Sequence, residues 1–344
     1  MSTSKYSFTS MENQLTPFMK PLHYLQMELL VTTFEAVAVL IGIGVVGFVV
    51  IAREKMPESI LPVLTPLVID IALPCMIFAN IISRFNPGTS SWWHMPLWWV
   101  GFTVAAFILA ITFTLLSRTA YPREFAMSLF YQNAIFIPLA VLTGMFGADT
   151  ERLVDLFLFT LLYPAFFFNT FHLFYKRKGK TSGIDEGIRW SRIFTPVLVA
   201  TILAVVFKLT GTHALVPQFV VTIFRSIGSM TVPLIMIIIG GNIYVDLKTT
   251  EHFFLKDIIK FIVCKNILFP LITLLLLVAI SPPFTVALII MLQSATPPIT
   301  AIPIMMDRTG GNRTVANQFF VTSMFASVIT IPIIMLLFSQ FFSS

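Results

Sequence analysis

Ten stretches of this chain are long enough and poor enough in charge to cross a lipid bilayer. They lie near residues 32–52, 60–83, 96–117, 124–146, 152–175, 193–210, 217–243, 257–280, 284–306 and 314–340. A spanning helix needs about 20 predominantly apolar residues. Lipid offers no water to backbone N–H and C=O groups, so only helices and closed barrels cross it. A barrel would show alternating segments of about 10 residues, and this sequence shows no such pattern. Charged residues make up 11% of the 344 and hydrophobic residues 57%, against roughly 25% charged in a soluble domain. The chain therefore reads as an all-α integral membrane protein with ten transmembrane helices.

Lys and Arg test that count. With ten spans, the loops after spans 1, 3, 5, 7 and 9 share one side of the membrane. They hold fifteen basic residues, from Arg53 and Lys55 to Arg308 and Arg313; the other side holds five: Lys5, Lys20, Arg84, Arg152 and Lys208. Cytoplasmic loops collect Lys and Arg, so both termini are expected outside, with a plasma membrane as the expected location. Residues 1–31 read as an extracytoplasmic segment without a cleavable signal, because Lys5, Glu12 and Lys20 precede any apolar run. The net charge of +6 has this topological explanation and implies no nucleic-acid partner. The polar stretch "KRKGKTSGIDEGIRWSR" (176–192) reads as a cytoplasmic linker between two halves, 32–175 and 193–340. Five spans per half is an odd number, so the second half enters the membrane inverted.

The halves also resemble each other. Pro74 in span 2 matches Pro233 in span 7 at an offset of 159. Spans 4 and 9 align Gln132 with Gln293, Asn133 with Ser294 and Ala134 with Ala295 at an offset of 161. Both spans then carry proline: Pro138 in the first, Pro297 and Pro298 in the second. A lone proline in a membrane helix also reads as a simple kink. Interrupted helices in matching positions of inverted repeats instead point to a transporter's binding site. Proline removes an N–H and frees a carbonyl, and such groups are tolerated at membrane depth only inside protein or beside water. Half-helix N-termini at the midplane would offer N–H groups and partial positive charge to an anion. The expected substrate-binding set is Gln132, Asn133, Pro138, Gln293, Ser294, Thr296, Pro297 and Pro298.

Charges inside spans are costly and mark functional candidates. Asp70 in span 2 either carries a proton during transport, pairs with Arg225 of span 7, or faces a wet cavity. Lys265 in span 8 either snorkels to the cytoplasmic surface or neutralises a substrate carboxylate. These three are the coupling candidates. Cys75 and Cys264 sit in apolar spans and read as small buried hydrophobes. The five histidines have no metal-ligand spacing, and no metal or cofactor is implied. "SSWWHMPLWW" (90–99) reads as an interfacial aromatic belt, and "DRTGGNR" (307–313) as a polar turn lacking a phosphate-loop pattern.

Several motifs resemble the auxin efflux carrier family. "ALPCMIF" (72–78) resembles its span 2 and "QNAIFIPLAVLTGMFG" (132–147) its span 4. "VPLIMIIIGGNI" (232–243) resembles its span 7, and "SATPPITAIPIMMDRTGGNRTVAN" (294–317) its span 9 with the following turn. The resemblance covers most of residues 32–340. It implies ten helices in two inverted five-helix repeats, with broken helices 4 and 9 crossing at their prolines. It also implies transport of an organic anion such as an auxin or another carboxylate by an elevator-like movement. The short central loop is similar to that of microbial and organelle-type members. Span 9 carries Ser294 and Thr296, where plant carriers have an asparagine-type contact further along. The expected partners are the anion and membrane lipid, and a homodimer stays open. A sodium-coupled symporter of the bile-acid type is the alternative, although no carboxylate stands near either break. A non-transporting sensor on the same scaffold is another. An enzyme would need a nucleophile, metal or acid pair clustered in the spans, and only isolated charges occur there.

Overall fold

The computed structural model describes residues 22–88, 92–148, 150–174, 194–248 and 252–342. The expectations for residues 1–21 and for the linker 176–192 lie outside the described residues. The described residues form, in chain order, the α-helices α1 (Leu22–Ala52), α2 (Ile60–Pro66), α3 (Leu73–Arg84), α4 (Met95–Ser117), α5 (Pro122–Phe130), α6 (Phe136–Phe146), α7 (Glu151–Phe159), α8 (Tyr163–Thr170), α9 (Pro196–Leu209), α10 (Gln218–Gly228), α11 (Thr231–Lys248), α12 (Leu255–Ile262), α13 (Phe269–Ile280), α14 (Phe284–Ala295), α15 (Ile302–Thr309) and α16 (Arg313–Phe341). A π-helical segment, Leu67–Ala72, joins α2 to α3, and another, Val263–Leu268, joins α12 to α13. Among the described residues there is no strand, only one isolated bridge.

Among the described residues, seven helical stretches are long and apolar enough to cross a membrane: Val31–Ala52, Ile60–Arg84, Trp92–Ser117, Glu151–Thr170, Gln218–Lys248, Leu255–Ile280 and Arg313–Phe341. They correspond to expected spans 1, 2, 3, 5, 7, 8 and 10. The other three expected spans contain shorter apolar helices: α6, α9 and α14. Two of these are short because spans 4 and 9 are broken in the middle. The third, α9, has 14 residues and rises about 21 Å at 1.5 Å per residue, less than a hydrocarbon core of about 30 Å.

Glycine sets the closest helix contacts. A Cβ on Gly240 would lie 1.8 Å from the Gly44 carbonyl oxygen, and one on Gly47 would lie 2.2 Å from that of Ile237. Helices α1 and α11 thus touch backbone to backbone, a mode small residues permit in lipid. Gly228 of α10 meets Met76 of α3 in the same way, and Gly144 of α6 meets Ala36 of α1. Helix α9 also packs on α3, α16 on α1, α5 on α4, and α14 on α13.

The interior of the protein is α14, where every residue from Val286 to Ala295 is buried. A helix apolar on all sides belongs inside a larger bundle. Polar ties hold its surroundings: Asp257 accepts from Thr119 Oγ1 at 2.7 Å, and buried Glu124 accepts from Asn312 N at 2.7 Å. The broken half of span 4 is thereby held beside α16, and both broken spans are fixed close to the centre.

Candidate functional site

Span 4 comes apart between Phe130 and Phe136, and span 9 between Ala295 and Ile302. The two open segments cross in antiparallel fashion. Asn133 N donates to Pro297 O at 2.9 Å, and Ile299 N donates to Tyr131 O at 2.9 Å. Gln132 lies opposite Pro298 in the bridge between them. The sequence accounts for the second break directly. Pro297 and Pro298 have no N–H to continue α14, and Thr296 before them is extended, at φ −75° and ψ 151°, as a residue preceding proline prefers.

The first break has another cause. Pro138 is the third residue of α6, in the first turn, where a missing N–H costs nothing. It starts a helix and breaks none. Asn133 shapes the break instead: its Oδ1 accepts from Phe136 N at 3.1 Å and Ile137 N at 3.4 Å. That is helix capping by an asparagine side chain. The expectation that the N–H groups of α6 are free for an anion is corrected here, because Asn133 and the position of Pro138 already account for the first three residues.

Unbonded side-chain amides remain. Gln132 and Asn133 are 2% and 1% exposed, and Gln132 Nε2, Gln132 Oε1 and Asn133 Nδ2 have no hydrogen-bond partner. Gln293 Nε2 is engaged, donating to Ala134 O at 3.1 Å. Ser294 Oγ donates to Met291 O at 2.7 Å and Thr296 Oγ1 to Gln293 O at 2.8 Å, so both hydroxyls turn back onto their own helix. A void of about 20 Å³ lined by Gln132, Gln293, Tyr163 and Thr103 adjoins the crossing. It shares Thr103, Phe130, Tyr131 and Phe166 with a larger apolar groove of about 460 Å³.

Of the charged candidates, only Lys265 reaches the crossing. It is fully buried, and its Nζ donates to Ser294 O at 3.3 Å and lies 4.6 Å from the Phe269 ring centre. Snorkelling is therefore corrected: the chain points inward because a carbonyl and an aromatic face lie there. Asp70 and Arg225 do not pair. Arg225 Nη2 donates to Ser83 Oγ at 3.1 Å, thirteen residues beyond Asp70, or about 20 Å along a helix. Asp70 is exposed and lines a separate groove of about 630 Å³ with Pro74, Cys75 and Phe207.

The bridge pairs Gln132 with Pro298, 166 residues apart, whereas the match of residue types sets Gln132 against Gln293 at an offset of 161. The match picks out the two segments that cross, and their bridge joins residues five positions away from that match. Tyr163, whose hydroxyl donates to Gln132 O, is a site residue the motifs did not bring out. Its one sequence signal is the Tyr163–Pro164 step, where span 5 reopens as α8.

A family model described as membrane transport protein matches residues 32–335. No curated protein matches the sequence.

Proposed function

The chain belongs to the membrane transport protein family, that of the auxin efflux carriers, and from that premise we propose that it is a secondary transporter of a small organic anion. The observation that carries the anion reading is the set of unbonded amide atoms on Gln132 and Asn133. A buried polar group without a partner costs about 1–3 kcal/mol. A carboxylate accepting from Gln132 Nε2 and Asn133 Nδ2 would remove two such penalties, while Gln132 Oε1 would take a donor from ligand or water. The adjoining apolar groove suits a ligand with a hydrophobic body. Gln293 lines the void opposite Gln132; on this reading Ser294, Thr296, Pro297 and Pro298 would form the far side of the substrate site, and Pro138 the start of α6.

The architecture we propose has ten spans in two inverted repeats, 32–175 and 193–340, with both termini outside a plasma membrane and residues 176–192 inside. Helix pairings support it. Exchanging spans 1 and 2 for 6 and 7 turns the α1–α11 contact into the α9–α3 contact. Exchanging spans 3 and 4 for 8 and 9 turns α4–α5 into α13–α14. Span 2 carries its π segment at Leu67–Ala72 where span 7 opens between Gly228 and Thr231, positions related by the offset of the two prolines. In an elevator-like cycle the crossed spans would move against α1, α3 and α9–α11. Asp70 faces a different groove, so any proton it carries would act without touching the substrate.

Thermal unfolding of the full chain tests this with indole-3-acetate, malate, malonate, a bile acid and neutral analogues, each with and without sodium. A carboxylate is expected to raise the midpoint. Asn133→Asp keeps an oxygen to cap α6 and removes the Nδ2 donor, so it should fold and lose that shift. Stabilisation only by neutral lipids, or an undiminished carboxylate shift in the variant, would sink the assignment.

A further inference from the structure

Lys265 stands without a countercharge at a position where a transporter of this construction can hold a coupling cation. Half-helix C-terminal ends and unwound carbonyls coordinate such cations in interrupted-helix transporters. Helix α14 ends at Ala295, and its Ser294 carbonyl receives Lys265 Nζ at 3.3 Å. The negative end of the α14 dipole favours positive charge there. The Phe269 face, 4.6 Å away, adds a cation–π contact. Among the described residues no ion pair includes Lys265. A single buried charge is costly unless it is compensated, and here carbonyl, dipole and ring provide the compensation.

On the other crossing segment the Gln132 carbonyl accepts from a neutral group, the Tyr163 hydroxyl. The position of Lys265 is fixed further by its neighbour in the same π segment. Asn266 Nδ2 donates to Ser323 O at 3.1 Å, and its Oδ1 accepts from Ser323 Oγ at 2.8 Å. The segment is thus tied to α16, with Lys265 turned toward α14.

We infer that the Lys265 ammonium is a built-in cation: it fills, as a tethered group, the carbonyl site at the end of α14 that a dissolved sodium ion would otherwise occupy. Cation and anion sites then lie on the same crossing, and the protein carries its charge compensation through the cycle without taking up sodium. The coupling role rests on the transporter reading above; the occupancy of the carbonyl site does not.

The test is the unfolding midpoint of the full chain in lipid nanodiscs, in equal concentrations of sodium, methylammonium or choline chloride. The wild type is expected to unfold at the same temperature in all three. Lys265→Ala vacates the site, so its midpoint should fall in choline and recover by about 2–4 °C in sodium or methylammonium. Lys265→Met keeps the aliphatic bulk without charge; it should fold, ignore the choice of cation and bind indole-3-acetate at least tenfold more weakly. Sodium stabilising the wild type as much as Lys265→Ala would overturn the inference. So would a folded Lys265→Ala indifferent to cation, or variants that stay unfolded even in methylammonium. A carboxylate shift in the wild type without cation recovery in Lys265→Ala sinks this inference alone. Cation recovery without any carboxylate shift sinks the transporter reading and leaves the cation site standing.

Discussion

Gln132 buries both ends of its amide beside the crossing without bonding either, while the Asn133 oxygen next to it is fully used as a helix cap. The two residues should therefore respond to substitution in opposite ways. Gln132→Leu removes the unbonded atoms, and we expect a stability gain of up to about 1–3 kcal/mol together with loss of the carboxylate-induced shift. Asn133→Ala removes the cap, and we expect a loss of about 0.5–2 kcal/mol with the same loss of binding. Unfolding midpoints of both variants with and without indole-3-acetate check this, and destabilisation by Gln132→Leu would argue against an unfilled site. The sequence drew attention to these amides because they stand near prolines in an apolar span. It did not tell which amide atoms stay unbonded, since that depends on whether the oxygen of Asn133 faces the backbone three residues ahead.

Among the helices, hydropathy marked the seven stretches of spanning length, and proline marked where α14 ends. Pro138 misled, because a proline in a first turn and a proline in a helix interior look alike until the helix start is known. Lys265 misled for a related reason: a lysine eight residues into a span can reach the surface or a partner, and Ser294 is 29 residues away in sequence. The glycines of α1 and α11 were also silent, since only the paired helices show which of them touch. Gly240→Ala would force a Cβ to 1.8 Å from Gly44 O; we expect destabilisation of roughly 1–3 kcal/mol, as overpacking costs. Gly42→Ala, with nothing within 4 Å, is the matched control and should cost little. Melting curves followed by size-exclusion fluorescence distinguish the two, and equal midpoints would contradict the α1–α11 contact.

For the whole molecule, the proposed inverted arrangement fixes which loops share a side. In a background of Cys75→Ala and Cys264→Ala, Ala214→Cys should react with an impermeant maleimide on intact cells. Lys55→Cys should react only after permeabilisation, and the reverse pattern would overturn the topology. Among the described residues seven stretches are of spanning length, and the remaining three proposed spans rest on the two halves being related. At the centre of the proposed arrangement the two halves are joined by the pair of main-chain bonds from residues 131–133 to 297–299. Main-chain bonds do not read side chains. A lineage built on this joint is free to exchange glutamine for serine, or an amide for a hydroxyl, around it and so change cargo. In the proposed transport cycle the pivot would stay the same throughout, and new specificities would arise by single substitutions that leave these main-chain bonds in place.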